Sequence, residues 1–158
     1  MSIYLERYAH YKHALIEEKP SSDLFMSIVI PCYNEPDITS TLNSISNCKK
    51  PEKGVEVIII VNNSETASNE IINQNKKTIS EIEKFKSKNE MPFVPTIHII
   101  QELCLPKKHA GVGLARKIGM DEAVRRNPDG IIICLDADSL VEENYLVEIE
   151  KHCINFPN

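Results

Sequence analysis

Two carboxylates separated by one alanine, Asp136-Ala137-Asp138, follow at once on the apolar run Ile131-Ile-Ile-Cys-Leu135. In extended chain, side chains two apart point the same way, roughly 6.6–7 Å from each other. The pair could converge on one hydrated divalent cation, or on a cation and a neighbouring sugar hydroxyl. Charge at the mouth of a buried strand is costly unless it is paired or bound to metal. The plainer alternative makes one aspartate a helix cap and leaves the other solvated. Two more apolar runs end in polar groups. Ser27-Ile-Val-Ile-Pro31 leads into Cys32-Tyr33-Asn34-Glu35-Pro36, and Val55–Val61 leads into Asn62-Asn63-Ser64. Further on, Gly111-Val-Gly113 precedes Arg116. Glycines at a helix start can approach a diphosphate closely, with Arg116 and Lys107 or Lys108 supplying charge. They equally suit a helix start packed tightly on a sheet.

The elements that must position these groups alternate along the chain. Tyr4, Tyr8, Tyr11 and Leu15 recur at helical spacing and predict a helix over 3–18, ended by Lys19-Pro-Ser-Ser. Strands are expected at 27–31, 55–61, 96–101 and 131–135, the last buried on both faces. Between them the spacing predicts helices at about 37–48 (Ile38, Leu42, Ile45 inward), 66–88, and from Gly113 to about Arg126. Ala115, Gly119 and Ala123 make a small-residue stripe on the last of these, suited to close packing on a sheet. Met91–Pro95 reads as a rigid connector, and Glu142 to about Asn155 as a final helix whose first turn Glu142 and Glu143 open. The order α-β-α-β-α-β-α-β-α implies right-handed crossovers and a mostly parallel sheet flanked by helices, a three-layer Rossmann-like α/β architecture. Ligands bind such sheets beyond the carboxyl ends of the strands. All three polar strand ends therefore fall on one edge, as a nucleotide site requires.

The bulk properties narrow the function classes. The chain has 158 residues, 42% apolar and 26% charged, enough for one soluble domain with one sizeable core. A formal net charge of −5 without a basic tract argues against a nucleic-acid partner. Cysteines 32, 48, 104, 134 and 153 are odd in number and form no C-x-x-C pair, which points to a reducing compartment. Cys134, inside an apolar run, reads as a small core residue. There is no signal-peptide-like stretch and no run of ~18 apolar residues, so no membrane segment is expected and the location reads as cytoplasmic. His10 and His13 stand three apart without a third ligand, and a metal site there is not expected.

Several motif readings fail on spacing. Gly111-Val-Gly113 would put Arg116 where a dinucleotide fingerprint needs its third small residue. A phosphatase of the haloacid-dehalogenase kind needs its Asp-x-Asp early, with a lysine and further acids downstream. A sugar-nucleotide pyrophosphorylase needs a glycine-rich loop after the first strand, where Cys32–Pro36 has no glycine. A fourth resemblance covers the chain from Met26 onward. Ser27-Ile-Val-Ile-Pro-Cys-Tyr-Asn-Glu35 resembles the opening strand and P-x-Y-N-E signature of family 2 glycosyltransferases of the GT-A fold. Val57–Ser64 is similar to that family's second strand and nucleotide-binding turn, Ala110–Arg116 with Gly119 to its G-x-x-x-A-R-N-x-G helix, and Leu135–Ser139 to its D-x-D motif.

This resemblance implies that Pro31, Tyr33 and Glu35 border the nucleoside, with Glu35 near the base or ribose. It further implies that Asp136 lies toward ribose and metal, and that Asp138 binds Mn²⁺ or Mg²⁺ across the donor's phosphates. Ala137 sits between them in the motif, and Arg116 helps hold the diphosphate. Amides at Asn62 and Asn63 replace the usual aspartates, so the base need not be uracil, since an amide both donates and accepts. Lys117 replaces the motif's asparagine. The expected organisation is an N-terminal helix and linker over 1–25 and a GT-A-like domain over 26–158. That domain reads as truncated one helix after the D-x-D motif, with no general base among its residues. The expected partners are a nucleotide-sugar donor and a glycan, lipid or small-molecule acceptor. The competing expectation is a non-catalytic nucleotide-binding or interaction module.

Overall fold

The computed structural model describes residues 3–87, 91 and 93–157. Among the described residues four strands, β1 (Leu24–Cys32), β2 (Gly54–Ser64), β3 (Thr96–Leu105) and β4 (Ile131–Cys134), form one sheet in the order β3-β2-β1-β4. Every pairing is parallel: Ile28 lies opposite Val57 and Ile133, and Ile58 opposite His98. The helices are α1 (Ile3–Tyr8), α2 (Ile38–Ser46), α3 (Asn69–Lys86), α4 (Val112–Arg126) and α5 (Tyr145–Asn155).

Alternation along the strands sorts the core into two layers. Met26, Ile28, Ile30, Val57, Ile59 and Val61 face Ile38 and Leu42 of α2, Ile82 and Phe85 of α3, and Leu146 of α5. Val29, Ile58, Ile60 and Ile100 face Ala115, Ile118 and Ala123 of α4. The small-residue stripe lets α4 lie close to the sheet. A methyl group placed on Gly119 would stand 2.4 Å from Ile60 Cδ1 and 2.5 Å from Val29 Cγ1. The structure is thus the expected three-layer α/β sheet, with Asp37 capping α2 and Ser68 capping α3 through their side chains.

Four local expectations are corrected. The helix expected over 3–18 ends at Tyr8. Beyond it, carboxylates of α4 take the backbone N–H groups that a helix would have used internally. His10 N donates to Asp121 Oδ2 at 2.8 Å and Ile16 N to Glu122 Oε1 at 3.2 Å. Arg125 and Arg126 hold the carbonyls of Tyr11 and Glu18 at 3.0 and 2.7 Å. The strand expected to be buried on both faces, β4, lies at the end of the sheet, and Cys134 is exposed rather than a core residue. The last helix starts at Tyr145, while Glu143 pairs with Lys49 at 3.0 Å. β2 extends through Asn62 and Asn63 to Ser64, because β3 keeps pairing with it as far as Leu105. The connector over 91–95 includes Pro92, and the expected end of the third helix includes Lys88; both lie outside the described residues.

Beneath the amino ends of the strands, Arg126 and Glu56, 5% and 3% exposed, form an ion pair at 2.9 Å. Ser27 Oγ donates to Glu56 at 2.9 Å, and Arg126 lies 3.1 Å from His98 Nε2. Burial pushes the Glu56 carboxyl up, but the bonds from His98, Arg126 and Ser27 outweigh it and hold its pKa below the ordinary value.

Candidate nucleotide-binding site

The turn after β1 is fixed from α3. Asn34 takes a left-handed backbone (φ 49°), a conformation that asparagine tolerates, and its N–H donates to Asn75 Oδ1 at 3.0 Å. The Glu35 carbonyl accepts from Gln74 Nε2 and Thr78 Oγ1 at 3.0 and 2.9 Å. This leaves the Tyr33 ring 52% exposed above the edge. The Glu35 carboxylate accepts from Asp37 N at 2.9 Å, within the start of α2. Pro31 and Cys32 are buried. Burial, with Glu35 nearby, pushes the Cys32 thiol up to about 12, so it stays protonated and inert.

At the end of β2 the two amides differ. Asn63 is 2% exposed, and its Nδ2 donates to Leu103 O at 2.7 Å and Ser64 O at 3.1 Å. Its Oδ1 accepts from Asn75 Nδ2 at 3.0 Å. Asn63 is therefore engaged inside the protein. Asn62 is 1% exposed, and its Oδ1 is buried with no hydrogen-bond partner. It lies two residues beyond Ile60 and so on the α4 side of the sheet. A buried acceptor without a donor is uncommon and calls for a physical reason. Asn75, the hub of this edge, is missed by the sequence reading. Its signal was a polar residue, with Thr78, on the otherwise apolar inner side of α3, and both are fully buried.

The aspartates lie in a turn, not in extended strand. β4 ends at Cys134, although Leu135 N still donates to Val29 O at 3.1 Å. Ser139 N then closes the turn onto Asp136 O at 3.1 Å. Ala137 is the buried pin: its carbonyl accepts from Thr41 Oγ1 of α2 at 2.6 Å, and Asp136 and Asp138 on either side are exposed. The two carboxylates are therefore placed by this turn and not by strand alternation. Arg116, from the first turns of α4, reaches across so that its Nη2 donates to Asp136 Oδ1 at 2.7 Å. Arg116 Nε is buried and has no partner. Gly111 and Gly113 have open space where a side chain would stand, so their smallness does not serve packing on the sheet. Lys117 turns away and pairs with Asp121 at 2.8 Å. Burial works against charge on both, but the mutual bonds, joined by Tyr4 and the His10 N–H, raise the Lys117 pKa and lower that of Asp121.

Among the described residues no group of three or more His, Cys, Asp and Glu gathers as a ready-made metal cage. Two exposed carboxylates fit a different kind of ion. A hard Mg²⁺-like cation takes one or two carboxylates and completes its shell with water and substrate phosphates. Asp136 and Asp138 suit that use, and His10 and His13 instead flank the Tyr11 ring at 4.6 and 5.6 Å.

An open parallel sheet, layered by helices and with its polar groups gathered at the carboxyl edge, defines a Rossmann-like domain of the GT-A class. Residues 27–152 match the family model described as Glycosyl transferase family 2. The chain belongs to that family. No curated protein matches it in sequence. Solved structures of TarS from S. aureus are similar in fold. One TarS structure superposes with a TM-score of 0.59 at 19% identity, over 84% of this chain and 20% of that chain. TarS 1–349 in complex with UDP gives 0.60, and its complex with UDP-GlcNAc 0.59, each at 19% identity and over 32% of that chain. The present chain thus spans about a third of TarS 1–349. Among the described residues no helix is long and apolar enough to cross a membrane.

Proposed function

We propose that this domain binds a nucleotide-sugar at its carboxyl edge, as the donor-holding part of a transferase that passes the sugar to an acceptor hydroxyl. The observation that carries the reading is the contact of Arg116 with Asp136, beside Asp138, on the edge of a family 2 domain. A guanidinium on one exposed carboxylate, with a second exposed carboxylate two residues on in the same turn, suits a diphosphate together with a hard cation.

Each residue then has a task. Pro31 and the exposed Tyr33 ring flank the nucleoside, and Glu35 lies toward base or ribose. Asn62 offers its unpartnered Oδ1 to an N–H on the base edge, while Asn63, held by Asn75 and Leu103, fixes the strand end beside it. Arg116 holds phosphate oxygens, and the Thr41–Ala137 bond keeps the turn in place. Asp136 and Asp138 would hold Mn²⁺ or Mg²⁺, which neutralises the charge that develops on the departing diphosphate. In the transfer the acceptor oxygen would bond to the anomeric carbon as the bond to phosphate breaks, with inversion, the nucleoside diphosphate leaving and the acceptor's hydroxyl proton passing to bulk water. Uridine is the first base to try, because TarS 1–349 is known bound to UDP and UDP-GlcNAc.

Calorimetric titration with UDP, GDP and dTDP, with and without Mn²⁺, tests this reading. Metal-dependent heat with at least one of them supports it. A folded sample that gives none would overturn it. Binding without donor hydrolysis, in this chain and in any longer polypeptide containing it, would favour the non-catalytic module.

A further inference from the structure

The pairing of β1 with β2 ends with Cys32 opposite Val61. Past that point the two chains are joined by a side chain instead of by each other. Asn34 N donates to Asn75 Oδ1 at 3.0 Å, and Asn75 Nδ2 donates to Asn62 O, also at 3.0 Å. The amide of Asn75 is thus an extra rung, inserted where a backbone bond would draw the two strand ends together. Its width holds the turn that carries Tyr33 and Glu35 apart from the end of β2. The same Nδ2 donates to Asn63 Oδ1 at 3.0 Å, so it also sets the direction of that side chain.

The surroundings of Asn75 separate this role from that of an ordinary buried amide. α3 follows β2 and leads back to the parallel β3, so it runs against the strands and its earlier turns pass beside their carboxyl ends. Gln74, Asn75 and Thr78 lie in those turns, and each bonds to the turn after β1 or to the end of β2. The Glu35 carbonyl accepts from Gln74 Nε2 and Thr78 Oγ1 at 3.0 and 2.9 Å. Further along α3 the buried residues are Ile82 and Phe85, packed in the core. Polarity on the buried side of α3 therefore follows the place assigned to the nucleoside. Buried polar groups cost free energy unless they are bonded, and apolar side chains would fill the same space at little loss. What the amide supplies and a leucine could not is a bonded spacer between two strand ends.

We propose that Asn75 is a positioning residue for the nucleoside. It keeps open the gap between the turn after β1 and the end of β2, where base or ribose enters, without touching the ligand itself. The inference rests on the donor reading above and deepens it: α3 builds the nucleoside half of the site, and α4 with the turn after β4 builds the diphosphate half. The test is calorimetry in Mn²⁺ with the best-bound of UDP, GDP and dTDP, set against pyrophosphate, which offers the phosphates alone. Asn75→Ala is expected to weaken nucleotide binding about tenfold or more and pyrophosphate binding by less than about twofold. Ile82→Ala, buried in the same helix and bonded to neither turn, is the stability control. It should lower the melting midpoint and leave both affinities within about twofold. Unchanged nucleotide affinity in Asn75→Ala, an equal loss for nucleotide and pyrophosphate, or a loss matched by Ile82→Ala overturns the inference. Should Asn75→Ala not fold, wild-type NMR decides. The nucleotide is expected to shift the Asn34 backbone and Asn75 side-chain amide resonances, and pyrophosphate to leave them in place; equal shifts, or none, overturn the inference. A wild type that binds none of the three nucleotides removes the donor reading and this inference with it. A wild type that binds one, with Asn75→Ala binding it equally, removes this inference alone.

Discussion

Arg116 and Asp136 meet at 2.7 Å although they come from different elements, the first turns of α4 and the turn after β4. Their side chains are 35% and 63% exposed, so the pair contributes little to folding, about 0–1 kcal/mol. Its consequence is positional. The guanidinium keeps the Asp136 carboxylate aimed along the edge, and each group is the other's stand-in for the proposed ligands: a cation where the metal would be, an anion where the phosphate would be. Arg116→Ala is therefore expected to change the thermal midpoint by no more than a few degrees while lowering nucleotide diphosphate affinity on the order of tenfold, as a lost charged hydrogen bond would. Calorimetry and a melting curve on the same sample separate the two effects.

Gly119 is where the sheet and α4 come closest. A methyl group there would overlap both Ile60 and Val29, which are fully buried. Gly119→Ala is expected to cost roughly 1–3 kcal/mol by overpacking, read as a lower urea midpoint with an unchanged slope. Gly113→Ala serves as the control. It meets open space in the same helix, so its stability should hold or rise slightly.

Asn63 shows why an amide stands where the resemblance leads one to expect an aspartate. Its Nδ2 donates to two carbonyls, of Leu103 and Ser64. A carboxylate there would face those oxygens with nothing to donate, in a place that is 2% exposed. Asn63→Asp is expected to destabilise by about 2 kcal/mol or more at neutral pH. Burial against carbonyls raises the folded-state pKa of the new carboxyl, so the penalty should shrink as the pH falls below that raised value and the group becomes a neutral donor. Urea titrations at pH 5 and pH 8 would show the variant closer to wild type at the lower pH.

The Glu56–Arg126 pair fixes the opposite end of the sheet. With both side chains 5% exposed or less, removing one partner strands a buried charge. Arg126→Met is expected to cost about 3–5 kcal/mol. The folded pKa of Glu56 is depressed. Its contribution is therefore complete above the ordinary carboxyl value, 4.5, and is lost as the pH falls through the lower folded value. Glu56→Gln should accordingly flatten the loss of stability in acid, which circular dichroism melts between pH 3 and pH 6 would register.

The alternation of strands and helices could be read from the chain because apolar β-branched runs and 3.6-residue spacing are local signals, and the turns between them are marked by proline, glycine and asparagine. The parts that escaped are set by distant groups. Tyr4, Tyr8, Tyr11 and Leu15 do carry helical spacing, but Asp121 and Glu122, more than a hundred residues away, take the N–H groups of His10 and Ile16 and end the helix at Tyr8. Cys134 looked internal because strand order is not written in a strand's own composition, and β4 proved to lie at the sheet's end. At the site, the positions of Asp136 and Arg116 along the chain could be read, but their contact could not. The inward turn of Asn63 follows from Asn75 and Leu103, neither of which its own sequence neighbourhood announces.

The central claim is that Asp138, with Asp136, holds a divalent cation against a bound nucleotide diphosphate. Mn²⁺ broadens amide resonances near it, so a backbone NMR spectrum recorded with UDP and substoichiometric Mn²⁺ tests the claim directly. The expected result is selective loss of the Ala137, Asp138 and Ser139 signals in wild type, their retention in Asp138→Asn, and otherwise matching spectra for the two proteins. Equal broadening in the variant, broadening centred elsewhere, or no change in wild type with UDP present would contradict it.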